Sequence, residues 1–168
     1  MPNNWKDLSV PRKMMQEGID LCKKNITDYL QEAELFISQG RLNHATILVE
    51  FAVEEFGKML IIKRAFALDL NDPFTMRGKK FYDHGQKSKK AWTVLDKKFR
   101  TLFDEGICLP NTVFEHGLAV ENTQANHDTR CWCAFVDFCS GRWLLGCDIK
   151  EGYLKNLVEE IKDKLLKL

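Results

Sequence analysis

A chain of 168 residues, 45% hydrophobic and 29% charged, can bury one sizeable core and is too short for two comfortable ones. Four Pro and ten Gly beside eleven Phe point to a compact, helix-rich protein. A net charge of +1 gives no global attraction to nucleic acid, and no run approaches the ~18 apolar residues that a membrane span needs.

No basic start leads into an apolar stretch, so the expected location is cytoplasmic, with the six cysteines as free thiols. Residues 1–11 read as an N-terminal arm, with Trp5 tucked against the body, and residues 12–168 as one helical domain. From Arg12 to Gln39, Met15, Ile19, Cys22, Ile26, Tyr29, Ala33 and Phe36 recur at steps of four and three. That is a long amphipathic helix with a seam suited to a bundle. Gly40 ends it. A second helix is predicted over Leu42–Leu70, with Ala45, Leu48, Ala52, Glu55, Met59, Ile62 and Phe66 on its inner stripe.

Asn71-Asp72-Pro73 marks a boundary. The third predicted helix has Phe81, His84, Ser88, Ala91, Leu95 and Leu102 inward, and Lys87, Lys89, Lys90, Lys97 and Lys98 on its flanks and outer face. Residues 104–128 carry Gly106, Pro110, Asn111, Gly117 and Asn122 and read as loops with at most one short helix. Arg130–Phe138 is apolar enough for a buried helix, interrupted by Gly141. Asp148-Ile149-Lys150-Glu151 resembles a capping box opening the last helix, whose inner side is Leu154, Leu157, Val158, Ile161, Leu165 and Leu168. The sum is an all-α bundle of four main helices plus shorter pieces.

Two residues stand out because a polar group occupies an apolar stripe. Glu55 and His84 would meet inside the bundle if the second and third helices are neighbours. The pair would then serve acid–base chemistry, or simply satisfy itself and fix helix register. Glu54 precedes Lys58 by four residues, a favourable ion-pair order. Gly57 costs about 1 kcal/mol against Ala in a helix interior, so a close approach by another backbone or a ligand is expected there. Nine Lys/Arg lie between Arg77 and Arg100, against five acids and no Lys or Arg from Asp104 to Asp128. This basic stretch, Lys90 included, suits a phosphate backbone or a plain solvated face. Arg41, Arg77 and Arg130 are further candidate donors. Cys131, Cys133, Cys139 and Cys147, with His116 and His127, match no common zinc spacing, and Trp132, Phe135 and Phe138 among them read as core. No metal or other cofactor is expected.

Three segments together resemble the AbiV family of bacterial abortive-infection proteins. They are Gly40-Arg41 leading through Ala45 to Glu54-Glu55-Phe56-Gly57-Lys58, then Phe81-Tyr82-Asp83-His84-Gly85-Gln86-Lys87, then Arg130 through Asp137. The resemblance covers about residues 12–147; where the family has a Pro soon after the third segment, this chain has Leu145-Gly146. The family is similar to the HEPN superfamily, which implies a helical bundle, a homodimer and a role in phage defence. It also implies two functional readings. In the first, the protein binds a phage protein, RNA or a translation component. In the second it is a metal-independent endoribonuclease with a non-standard site, His84 as acid–base group, Glu55 as its orienter, and Lys58, Lys87, Arg77 or Arg41 holding phosphate. The Arg-spacer-His signature of such nucleases is met in spacing only by Arg77 and His84, ahead of its usual later helix, and no His lies between Thr129 and Leu168.

Overall fold

Helix α1, Arg12–Ser38, turns Met15, Ile19, Cys22, Ile26, Leu30, Ala33 and Ile37 into the core at steps of four and three. In the computed structural model, residues 8–68, 74–76, 81–96, 107–108, 136–139, 142–145 and 148–168 are described. The α1 seam is the expected one, except that Leu30 and Ile37 are its buried members where Tyr29 and Phe36 were expected, and those two are half-buried. The helix ends where Gly40 adopts a φ of +70°. Its N–H donates to Ile37 O, and Arg41 N–H donates to Phe36 O. These two bonds close a Schellman motif and satisfy the last carbonyls. The chain then reverses at once into α2, Leu42–Ala67. So short a connection makes α1 and α2 antiparallel neighbours.

α2 is the central helix. Its buried residues run through Ala45, Thr46, Val49, Glu50, Ala52, Val53, Glu54, Phe56, Gly57, Met59, Leu60, Ile62 and Ala65, which is most of its circumference. A helix buried nearly all round has neighbours on several sides. α1, the short helix α3 (His84–Ala91) and the terminal helix α4 (Glu151–Leu166) all pack against it. Phe56, Leu157 and Ile161 are completely buried, each worth about 1.5–3 kcal/mol of transfer free energy.

The third helix is shorter than predicted. Asp83 caps α3 by accepting from Gln86 N at 3.0 Å, and after Ala91 the chain turns, with Trp92 and Leu95 still buried. α4 buries Leu154, Leu157, Val158 and Ile161 as expected, but starts at Glu151, with no side-chain cap from Lys150. The supposed capping residue Asp148 instead lies in a strand.

Among the described residues, three short antiparallel ladders accompany the all-α bundle. β1 (Leu8–Val10) pairs with β2 (Phe74–Met76), so the end of the expected arm is tied to the segment after α2. β3 (Ile107–Cys108) pairs with β6 (Asp148–Ile149). β4 (Val136–Cys139) pairs with β5 (Arg142–Leu145), placing Phe138 opposite Trp143. Of the buried helix expected over Arg130–Phe138, residues 130–135 lie outside the described residues, and the rest is corrected: Val136–Phe138 belong to a strand paired with Arg142–Leu145. Two short apolar runs rich in aromatic and branched residues around Ser-Gly suit a hairpin as well as a helix by pattern, and pairing decided it. Trp5, Arg77, His116, His127, Arg130, Cys131, Cys133 and Cys147 lie outside the described residues. No helix among the described residues is long and apolar enough to cross a membrane.

Candidate functional site

The α2–α3 junction is set by Gly57. A Cβ built there would meet the carbonyl O of Lys87 at 1.8 Å and Ala91 N at 3.2 Å. The expected close approach is thus by backbone, and only glycine allows it. One turn back along the same face of α2, Glu54 is turned toward α3 with its side chain 5% exposed. Its Oε2 lies 2.6 Å from His84 Nδ1 and 3.4 Å from Lys87 Nζ. Lys87 is buried and supplies the countercharge. His84 is different: its side chain is 60% exposed, held at Nδ1 by a buried carboxylate and otherwise open to solvent.

This geometry corrects the sequence reading in three places. The carboxylate joined to His84 is Glu54, and Glu55 lies one step round α2, paired with Lys58. His84 faces outward where an inward position was expected. Lys87, assigned to the flank, is buried. The cause is the burial of α2 on several sides: its apolar residues admit more than one stripe, and the stripe through Glu55 is not the one that meets α3.

Glu55 and Lys58 form a second half of the polar cluster, turned toward α1 and the segment before α3. Lys58 Nζ stands 5.9 Å from the centroid of the Phe81 ring, and Phe81 meets Tyr82 edge-on at 5.5 Å. Cys22 of α1 is buried beside this pair. Burial first, and then the negative charge of Glu55, push its thiol up to about 12. α1, α2 and α3 each give a polar side chain to one cluster of Cys22, Glu54, Glu55, Lys58, His84 and Lys87.

Other candidates stand apart from it. Arg41 is exposed at the start of α2, its guanidinium 4.6 Å from the Phe36 ring centroid, and so is not the donor to Glu55. Lys90 lies on the last turn of α3 and makes no ion pair among the described residues. Arg77 and Arg130 are not described. Sequence reasoning missed Cys22, Phe81 and Tyr82 as neighbours of the cluster, and missed Glu50, which is fully buried one turn before Glu54 and is itself partnered. The four-residue step from Glu50 to Glu54 was the available signal. No group of three or more His, Cys, Asp or Glu among the described residues is arranged to hold a metal ion.

A protein-family model described as AbiV, of HEPN type, matches residues 14–107, more than half the chain. The match takes in both segments that meet at Gly57 and stops short of Arg130. No curated protein and no solved structure matches the chain.

Proposed function

The chain belongs to the AbiV family of HEPN-type proteins, and from that premise we propose that it is a bacterial abortive-infection protein acting against phage. In this reading it works in the cytoplasm as a homodimer. It binds a phage protein, RNA or a component of translation through the face of α2 and α3 centred on His84. One observation carries the reading: both motif segments converge there, Glu54 from the first and His84 and Lys87 from the second, with the imidazole left open to a partner. A pair serving only to satisfy itself would gain nothing from leaving that imidazole exposed.

The test is phage plating on a bacterial host carrying wild type, His84→Ala, Glu54→Gln or Glu55→Gln at matched protein levels, each variant checked by its melt. His84→Ala and Glu54→Gln should lose protection while folded. Full protection by both would reduce the cluster to architecture and remove this reading.

A second reading, a metal-independent endoribonuclease, is favoured by the same open imidazole. A buried carboxylate that orients an exposed imidazole is what an acid–base group requires. Here the orienter is Glu54, and of the two cluster lysines Lys58 is less tightly enclosed than Lys87 and would face a phosphate. Mapping RNA ends in infected cells separates the two readings. New ends that depend on His84 favour cleavage; protection without new ends favours binding.

A further inference from the structure

A carboxylate can only accept hydrogen bonds, so the nitrogen of His84 that meets Glu54 must carry a proton. That nitrogen is Nδ1, at 2.6 Å. The acceptor is fixed from three sides. Glu54 is buried on α2, Lys87 Nζ lies 3.4 Å from the same oxygen, and α3 is drawn in by the contact of its Lys87 carbonyl with Gly57. Neutral imidazole has one N–H, so spending it on Glu54 leaves Nε2 as a bare lone pair. Among the described residues Nε2 has no partner, and the ring is 60% exposed.

We infer that neutral His84 is held as the Nδ1–H tautomer by Glu54, and that its exposed Nε2 then accepts from a hydrogen-bond donor, a ligand hydroxyl. The inference rests on the reading that the His84 face is the functional surface, and it names the chemistry that face recognises. The surroundings agree with it. Among the described residues of the cluster, both lysines already face a carboxylate, Lys87 at Glu54 and Lys58 at Glu55, and Asp83 beside His84 adds negative charge. An anion arriving at Nε2 would meet a lone pair. A hydroxyl would meet an acceptor whose opposite nitrogen is anchored.

Nitrogen-15 long-range correlation spectra of the full chain, recorded where the imidazole is neutral, test this directly. His84 should show the Nδ1–H pattern; the Nε2–H pattern that an unconstrained histidine side chain prefers would overturn the inference. Glu54→Leu, which removes the acceptor altogether, should abolish the single-tautomer signature in a variant whose melt shows it folded, and its retention there would show that Glu54 is not the cause. Inorganic phosphate should leave the His84 resonances unmoved, whereas a saturable shift would mean an anion site. The proposed function fails separately: if His84→Ala still protects against phage while the Nδ1–H pattern is observed, the tautomer stands and the functional reading falls.

Discussion

Glu54 and Glu55 are neighbours in sequence but not in energetic role. Removing Glu54 by substitution to Ala leaves the buried Lys87 ammonium without its countercharge, and breaking a buried pair in this way costs about 3–5 kcal/mol. Glu55 pairs with Lys58 at a half-buried position, and a lysine left behind there can still turn its ammonium to water, so losing Glu55 costs less. Urea melts should therefore show Glu54→Ala less stable than Glu55→Ala; equal losses would mean that Lys87 finds another partner. Cys22 gives a second residue-scale prediction. Its thiol rises from the ordinary 9.0 to about 12 through burial and the adjacent Glu55. The folded chain thus holds this proton more tightly than the unfolded one. The resulting stability is complete below pH 9 and is lost as pH rises toward 12. Iodoacetamide at pH 8.5 should label Cys22 slowly in the native protein and quickly in urea, as read by peptide mass. Fast native labelling would show that α1 opens readily from the cluster.

At the scale of elements, the contact between α2 and α3 depends on a missing methyl group. Gly57→Ala gains about 1 kcal/mol in helix propensity but places a Cβ against the Lys87 carbonyl, where no flexible side chain can move aside. Overpacking of this kind costs about 1–3 kcal/mol, so the variant should melt earlier than wild type, and an unchanged or higher melting temperature would show that α3 is not seated as described. Gly57 is also where the sequence was most informative: a helix interior with a glycine implied a close approach, and one was found. The four-and-three seam of α1, the turn at Gly40 and the apolar side of α4 were legible for the same reason, since each helix there meets the core on one face. Glu54 was not, because α2 is enclosed from several sides and periodicity cannot rank its two adjacent carboxylates. The β4–β5 hairpin escaped because its runs are too short for period alone to separate strand from helix. A further contact joins α4 to α1, where Lys162 meets Glu34 and Glu159. Burial acts against its charge, but the two carboxylates outweigh that and raise its pKa above 10.5. This contribution is intact below pH 10.5 and disappears as pH rises through the raised value. Lys162→Met should therefore flatten that part of the alkaline stability profile.

For the whole molecule, the open question that the bundle itself raises is what faces the outer side of α1. Met14, Leu21 and Leu35 are all exposed and lie seven or fourteen residues apart, on the side away from the buried seam. Spacing by sevens keeps apolar side chains in line along a helix and suits contact with a second helix. A homodimer, proposed above from the family, would supply one in the α1 of a second copy, and a symmetric pairing uses the same patch on both chains. Sedimentation equilibrium should then give a mass of about twice the 19.5 kDa chain, and Leu21→Lys should return it to a monomer with an unchanged melt at low concentration. Because Leu21 is exposed on the face of α1 away from the buried seam that carries Cys22, plating with this variant also separates assembly from site chemistry. Loss of protection would mean that the His84 surface works only in a pair. Retained protection by a monomer would place the whole activity on one bundle, and a wild-type chain that sediments at 19.5 kDa would remove the dimer altogether.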